Sequence, residues 1–395
     1  MRLSRVLGAV ALTLTMVSCA HIANVPINEP TADANAGVVL DAKANGGTEG
    51  RQALAEDELI IGLAFSGGGT RAAAFSFGAL KGLEQTQVTV RGRKLDLLSD
   101  IDFVSGVSGG SVTAAYFGLK KRAALADFRE RFLIKDAEEA LDTRKSLATL
   151  GLGLGGGVNE DTRLRNWLDE NLFDKATFSS LLADPHPIVW INATDLYNRT
   201  PFIFIPIQFS QICSDLASYP ISAAVAASAA VPVVFSPIVI EPYPDRCNQK
   251  MPVWLANAQN NPNASPQLRA FAESVQRQSD GSMKYIKLVD GGMVDNYGLS
   301  GFTIAREGSQ TPNGPLTPRE AVKLRRMLFL VVDAGGETQR DWAQTLEGPS
   351  GGNLIAAITD VSLDAAKMAS YSAFDATMRN WREALIRWRC SLSAT

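Results

Sequence analysis

The chain has 395 residues, 46% of them hydrophobic and 20% charged, with a formal net charge of −3. That is enough apolar material for a substantial core, and too little charge to drive recognition of nucleic acid or of a strongly charged partner. The only histidines are His21 and His186, and the four cysteines form no cluster, which excludes a zinc centre of the usual His or Cys type.

Arg2 and Arg5 precede an apolar run over residues 6–17, with small Ser18 directly before Cys19. The run is shorter than the roughly 20 residues of a membrane-spanning helix, so residues 1–18 read as a removable export signal. Met16-Val17-Ser18-Cys19 resembles the lipobox of bacterial lipoproteins, with Met16 where that motif usually carries Leu. The resemblance implies lipidation of Cys19. Ala20, standing where an Asp would retain the protein, implies sorting to the outer membrane, facing the periplasm or the cell surface. Plain signal cleavage and an uncleaved apolar start on a cytoplasmic protein are the alternatives. Residues 19–58, rich in Ala, Asn, Gly and Glu without apolar periodicity, then read as a flexible tether.

Residues 59–395 read as one domain. Its first strand, 59–65, is a continuous apolar run of the kind found in buried parallel sheets. Ser66-Gly67-Gly68-Gly69-Thr70-Arg71 follows, ahead of a helical segment over 72–83. A glycine-rich turn at a helix start offers free amide N–H groups and the positive end of the helix dipole, which suits the oxyanion of a tetrahedral intermediate. A nucleotide phosphate site is the competing reading, although the loop has neither the G-x-G-x-x-G pattern nor a Walker lysine.

A second strand is predicted over 101–104 and a helix over 111–119. Between them lies Gly106-Val107-Ser108-Gly109-Gly110. This is G-x-S-x-G in its strand–turn–helix context, with Gly106 and Gly110 allowing the sharp elbow that lifts a nucleophilic Ser108 clear of the sheet. A glycine-rich structural turn with an incidental serine is the bland alternative. Helices are expected over 123–141 and 162–172, and the glycine patch 151–157 reads as a mobile loop near the active-site mouth. Further strands are expected over 188–193, 202–205, 233–240, 285–289 and 327–332. Strands alternating with helices predict an α/β fold with a mostly parallel central sheet. Stretches 245–280 and 308–318, rich in Pro, Asn, Gln or Ser, read as surface insertions.

Asp290-Gly291-Gly292 ends the strand over 285–289, which makes Asp290 either a carboxylate at a catalytic strand end or a simple turn cap. The scarcity of histidine bears on which. His186, held between Pro185 and Pro187 before a strand, precedes Asp290 rather than following it, so a direct Ser108 and Asp290 pair is the economical arrangement. A conventional triad built on His186 is the rival. Cys213 and Cys247 bracket one segment and are either a disulfide or two buried thiols, with Cys390 left over.

The glycine loop, G-x-S-x-G and D-G-G, in that order, resemble the patatin-like phospholipase family. Ala226-Ala227-Ser228-Ala229-Ala230-Val231-Pro232 is similar to the alanine-rich helix and proline turn of the same family. The resemblance implies a three-layer α/β/α fold. It makes Ser108 the nucleophile, Asp290 the base, Gly67, Gly68 and Gly69 the oxyanion loop, and Arg71 the basic residue closing it. Ala72 departs from the pattern, where another glycine is usual. The activity implied is cleavage of acyl esters in phospholipids or other lipids through an acyl-serine intermediate, without metal or other cofactor. A general esterase, thioesterase or lysophospholipase is the nearer alternative, and a catalytically inactive lipid-binding lipoprotein the more distant one. Met378, Trp381, Leu385 and Trp388 recur at helical spacing among Arg379, Arg382, Arg387 and Arg389. Such a stripe either packs a terminal helix on the core or lies on a membrane surface.

Overall fold

The computed structural model describes residues 24–32, 58–90, 92–135, 161–184, 186–232, 234–248, 250–309, 311–335, 341–349 and 351–392. Cys19, His21 and the glycine patch 151–157 lie outside them.

The chain order is β1 (Leu59–Phe65), α1 (Gly69–Gln85), β2 (Gln87–Val90), β3 (Arg93–Asp96), β4 (Phe103–Val107), α2 (Gly109–Lys120), α3 (Asp161–Leu168), β5 (Ile188–Asp195) and β6 (Thr200–Ile203). It continues with α4 (Ile221–Ser228), β7 (Ile238–Ile240), α5 (Val253–Asn260), α6 (Pro266–Ser279), β8 (Ile286–Asp290), α7 (Ser300–Glu307), β9 (Arg326–Val332) and α8 (Gly352–Leu392). Seven strands form the central sheet in the order β7-β8-β5-β4-β1-β9, with β6 paired to β5 off that path. The row β9, β1, β4, β5 is parallel, and β8 and β6 run against it, so the sheet is mostly parallel. β2 and β3 form a separate hairpin.

Alternation along β1 shows why both faces must be covered. Ile61, Leu63 and Phe65 enter the main core, where Ala73, Phe77 and Leu80 of α1, Ala114 and Phe117 of α2, and Val225 of α4 meet them. Ile60 and Ala64 point to the other face, Ala64 packing with Phe302 of α7 and Phe374 of α8. Gly62 lies on that second face because a Cβ there would fall 2.1 Å from the Phe103 ring. Phe103 needs that room, since it stacks with Trp190, Phe302 and Phe329. Helices on both faces of the sheet make the three-layer α/β/α architecture that the motifs implied.

Several local expectations shift. The strand foreseen over 101–104 runs on to Val107, carrying it directly into the serine turn. The strand foreseen over 202–205 starts two residues earlier, at Thr200. Of the described residues 234–240 only Ile238–Ile240 is strand, because Pro237, which has no N–H to give, stands directly before it. Over 123–141 the described part is helical from Ala124 to Leu133, with ordinary turns over Ala124–Phe128 and wider ones over Arg129–Leu133. The segment 245–280 contains α5 and α6, whose Leu255, Leu268, Phe271 and Val275 form a small core of their own. Ser265 caps α6 by accepting the Leu268 N–H at 3.1 Å, and Pro266 takes its first position.

The stripe on α8 is internal. Trp381 and Leu385 are buried with Leu316 and Leu324, and Met378 and Trp388 pack at the edge of the same cluster. Those side chains are therefore not offered to a membrane, which corrects that reading of the stripe. Among the described residues no helix is long and apolar enough to cross a membrane. Residues 24–32, within the stretch read as a tether, dock on the domain: Asn28 donates to the Glu241 carbonyl at 2.8 Å, and Pro30 bridges to Ser214.

Candidate active site

β1 and β4 are neighbouring parallel strands, so the loops after Phe65 and Val107 emerge side by side at one edge of the sheet. β8 reaches the same place from the opposite direction. Val107 pairs with Asn192 of β5, and Ala193, the next residue of β5, pairs with Asp290. The parallel strand bearing Ser108 and the antiparallel strand bearing Asp290 thus end at one level. The hydroxyl of Ser108 adjoins the Asp290 carboxylate and favours its charged form.

Ser108 has φ 51° and ψ −123°, a conformation that costs a non-glycine residue about 1–3 kcal/mol and persists only when its surroundings enforce it. The enforcement is visible. The N–H of Ser108 donates to Ser228 Oγ at 2.8 Å, and its carbonyl accepts from the Ser111 N–H at 2.9 Å and from Ser111 Oγ at 2.6 Å. The glycines around it permit close approach: a Cβ on Gly106 would lie 2.6 Å from Ser111 Cα, and one on Gly110 2.5 Å from the carbonyl oxygens of Phe65 and Ser66. The helix that begins here, α2, is therefore pressed directly onto the end of β1.

The glycine loop is anchored at both ends. Ser66 N–H donates to the Val332 carbonyl at 3.1 Å, and Ser66 Oγ accepts from the Ala334 N–H at 2.9 Å. The three glycines are not equivalent. Gly67 donates its N–H to the Asn296 carbonyl at 3.1 Å, which leaves the amides of Gly68 and Gly69, at the mouth of α1, as the available donors. Both of those residues have positive φ, at 139° and 63°. A Cβ on Gly109 would fall 1.9 Å from the Gly69 carbonyl oxygen, so the N-termini of α1 and α2 abut beside Ser108 and add their dipoles there. Arg71 is exposed and its guanidinium folds back over Gly68. Ala72 is fully buried beneath the loop.

Asp290 is 6% exposed, and burial raises its pKa from 3.8 to about 6, against the lowering effect of the Gly292 N–H and the Ser108 hydroxyl. The Gly292 bond is 2.8 Å long. Among the described residues no cation pairs with the carboxylate, and none opposes the effect of burial.

His186 lies at the far end of the sheet. It precedes Ile188, which pairs with Phe103 at the start of β4, while Ser108 follows the end of that strand. Five residues of strand separate the two, about 16 Å at 3.3 Å per residue. A triad on His186 would need that distance closed.

Three residues not singled out from the sequence complete the arrangement. Ser228, at the end of α4, takes the Ser108 N–H and donates to the Asn192 carbonyl at 2.6 Å. Its own carbonyl accepts from the Gly291 N–H at 3.1 Å, so one buried serine joins the nucleophile turn to the Asp290 loop. Asn192 donates to Ser105 Oγ at 2.8 Å and to the Gly106 carbonyl at 2.9 Å, bracing the turn from below. Asn296 bridges the glycine loop to the Asp290 loop. A serine inside an otherwise apolar helix was the available signal for Ser228; nothing local distinguished Asn192 or Asn296.

Cys213 and Cys247 are joined by a disulfide with a Cα separation of 5.6 Å, and Cys390 is an exposed thiol outside that bond. A family model described as patatin-like phospholipase matches residues 63–303, which takes in the glycine loop, Ser108 and Asp290. A comparison with curated proteins returns no match.

Proposed function

The chain belongs to the patatin-like phospholipase family, and within it we propose a serine acyl hydrolase that cleaves lipid esters with Ser108 as nucleophile and Asp290 as its base. The observation that carries this reading is the convergence of Ser108 and Asp290 at one level of the sheet, the hydroxyl adjoining a carboxylate whose pKa burial has raised to about 6. A carboxylate at its ordinary value is a poor base at neutral pH; one near 6 is better matched to the proton it must take.

In the proposed reaction Ser108 Oγ attacks the ester carbonyl carbon as its proton passes to Asp290. The carbonyl oxygen becomes an oxyanion facing the Gly68 and Gly69 amides and the two helix N-termini. Collapse of the tetrahedral intermediate breaks the bond to the leaving alcohol, which departs with the proton held by Asp290. Water then repeats the sequence on the acyl-serine, giving up a proton to Asp290 and releasing the fatty acid as Ser108 regains it. Because Ser108 and Asp290 are each only 6% exposed, charge develops in a water-poor setting where fixed dipoles act strongly.

We further propose an exported, lipid-anchored protein. The signal-like start and Cys19 support it, as does the Cys213–Cys247 disulfide, which belongs to oxidising compartments.

The test is mass spectrometry of fatty acids released from phospholipid vesicles by the protein and by its Ser108→Ala variant. Release by the former alone is expected, and equal release by both would dismiss the reading.

A further inference from the structure

The turn over residues 196–199, which joins β5 to β6, projects from the catalytic edge of the sheet. Ser108 and Asp290 meet level with Ala193, and Leu196 lies three residues further along the chain, about 10 Å at 3.3 Å per residue. Turns favour Gly, Asn, Asp and Ser, yet at this one Leu196 is 49% and Tyr197 70% exposed. Tyr285, which leads into β8 beside it, is 40% exposed. One exposed Leu needs no explanation; three large apolar side chains gathered at one tip call for a contact that covers them.

The tip is held rigidly in this exposed form. Asp195, fully buried at the end of β5, accepts the N–H groups of Tyr197 at 3.0 Å and Asn198 at 3.1 Å through one oxygen. Its other oxygen takes the Asn198 amide at 2.6 Å and the Gln278 amide at 2.8 Å. Arg277 of α6 donates to Asn198 Oδ1 at 2.7 Å, and the Leu196 N–H donates to the Lys287 carbonyl of β8 at 2.9 Å. Four donors on one enclosed carboxylate fix the backbone of the turn, so Leu196 and Tyr197 are not free to fold back onto the protein. Exposed cations surround them. Arg199, Lys284 and Lys287 pair with no acidic side chain among the described residues, and the Lys284 ammonium lies 5.3 Å from the Tyr285 ring centre. Of the acids near them in the chain, Asp195 is buried and Asp280 accepts the Ser282 N–H at 2.9 Å.

We infer that this tip, with Lys284 and Lys287 beside it, is the surface by which the catalytic edge docks on a lipid layer carrying anionic headgroups. The choice of lipid as the partner rests on the acyl-transfer reading above. Leu196 supplies apolar surface, the two tyrosines suit a boundary that is wet on one side and apolar on the other, and the cations meet headgroup phosphates. Docked in this way, the tip brings the layer to the same edge of the sheet at which Ser108 stands.

The experiment is co-sedimentation of the full chain with vesicles of phosphatidylcholine alone and of phosphatidylcholine with an equal part of phosphatidylglycerol. It compares the parent chain, a tip variant (Leu196→Ser with Tyr197→Ser) and a lysine variant (Lys284→Gln with Lys287→Gln). All three carry Cys19→Ser, so that no attached lipid contributes. Melting curves and hydrolysis of p-nitrophenyl butyrate, with Ser108→Ala as control, accompany it. The tip variant should bind both vesicles about tenfold or more weaker, and the lysine variant should lose about tenfold on the anionic vesicles only. Melting and butyrate hydrolysis should stay unchanged in both, since these exposed side chains lie beyond the level of Ser108 and Asp290. No binding by the parent chain, a tip variant within about threefold of it, or a lysine variant unchanged on anionic vesicles overturns the inference. So does loss of the cooperative melt in the tip variant, which would make Leu196 and Tyr197 structural. Butyrate hydrolysis that is absent from the parent chain, or kept in Ser108→Ala, overturns the acyl-transfer reading instead, while vesicle binding is read separately.

Discussion

Ser108 and Asp290 meet because two strands running in opposite directions stop at adjacent residues of a third, Asp290 lying opposite Ala193 one step beyond the Val107–Asn192 pair. The two residues are far apart in the chain, and the environment of Asp290 sets the pH at which the proposed dyad can work. Asp290 must be ionised to accept a proton, and its pKa of about 6 places that requirement within reach of titration. kcat/KM is expected to rise with pH and level off above about 6. A profile flat from about pH 5 to 8 would remove Asp290 as the base.

The same raised pKa carries a stability cost of opposite sign. The folded state binds the Asp290 proton more tightly than the unfolded chain, whose value is 3.8, so this group's contribution is full below about that pH. It is lost as pH rises through about 6, by on the order of 3 kcal/mol. Asp290→Asn removes the charge while nearly preserving shape. It should abolish turnover and raise the melting temperature at pH 8 but not at pH 4, and equal melting shifts at the two values would refute the linkage.

Ser228 holds the elbow in its strained form. Ser228→Ala strips a partner from the Ser108 N–H and from the Asn192 carbonyl, both buried, at about 1–3 kcal/mol. Because the lost contact is to the nucleophile's own backbone, kcat should drop about tenfold or more while KM hardly moves. Unchanged labelling kinetics with a fluorophosphonate probe would argue against this role.

Glycines divide by what surrounds them. Gly110→Ala would put a Cβ 2.5 Å from two carbonyl oxygens at the end of β1, forcing α2 off the sheet. A loss of about 1–3 kcal/mol or more, together with activity, is expected. Gly78→Ala, on the exposed side of α1 with nothing within 4 Å, should instead stabilise by up to about 1 kcal/mol and leave turnover unchanged. Similar melting shifts for the two would contradict the packing described.

The disulfide closes a separation of 34 residues, for which chain entropy gives about 3–4 kcal/mol. Reduction, or Cys213→Ser with Cys247→Ser, should lower the melting temperature while leaving kcat at 25 °C close to unchanged, and Cys390→Ser should do neither. Loss of kcat without loss of stability would mean that this region reaches the site.

The two residues of the proposed dyad and both glycine-rich turns stand out along the chain because each is a local demand on backbone geometry. A strained serine needs glycine on either side, and a helix mouth that receives an anion needs free amides, so those requirements leave their mark within six residues. Alternation and apolar runs likewise announced the layered sheet. Composition did not reveal the helices within 245–280, where Leu268, Phe271 and Val275 stood at helical spacing inside a stretch rich in Asn, Gln and Pro.

What lay beyond reading acts across distance. No pattern within 286–290 says that β8 runs against β5; direction comes from which strand it meets. Ser228 reaches Ser108 over 120 residues, and Asn296 lodges against Gly67 from the other end of the fold. The fate of the α8 tryptophans, inside rather than on a membrane, was set by the cluster of Leu316 and Leu324 that receives them. Local geometry names the groups proposed to react. Only packing decides which polar side chains hold them, because a hydrogen bond between distant segments leaves no trace in the neighbours of either residue.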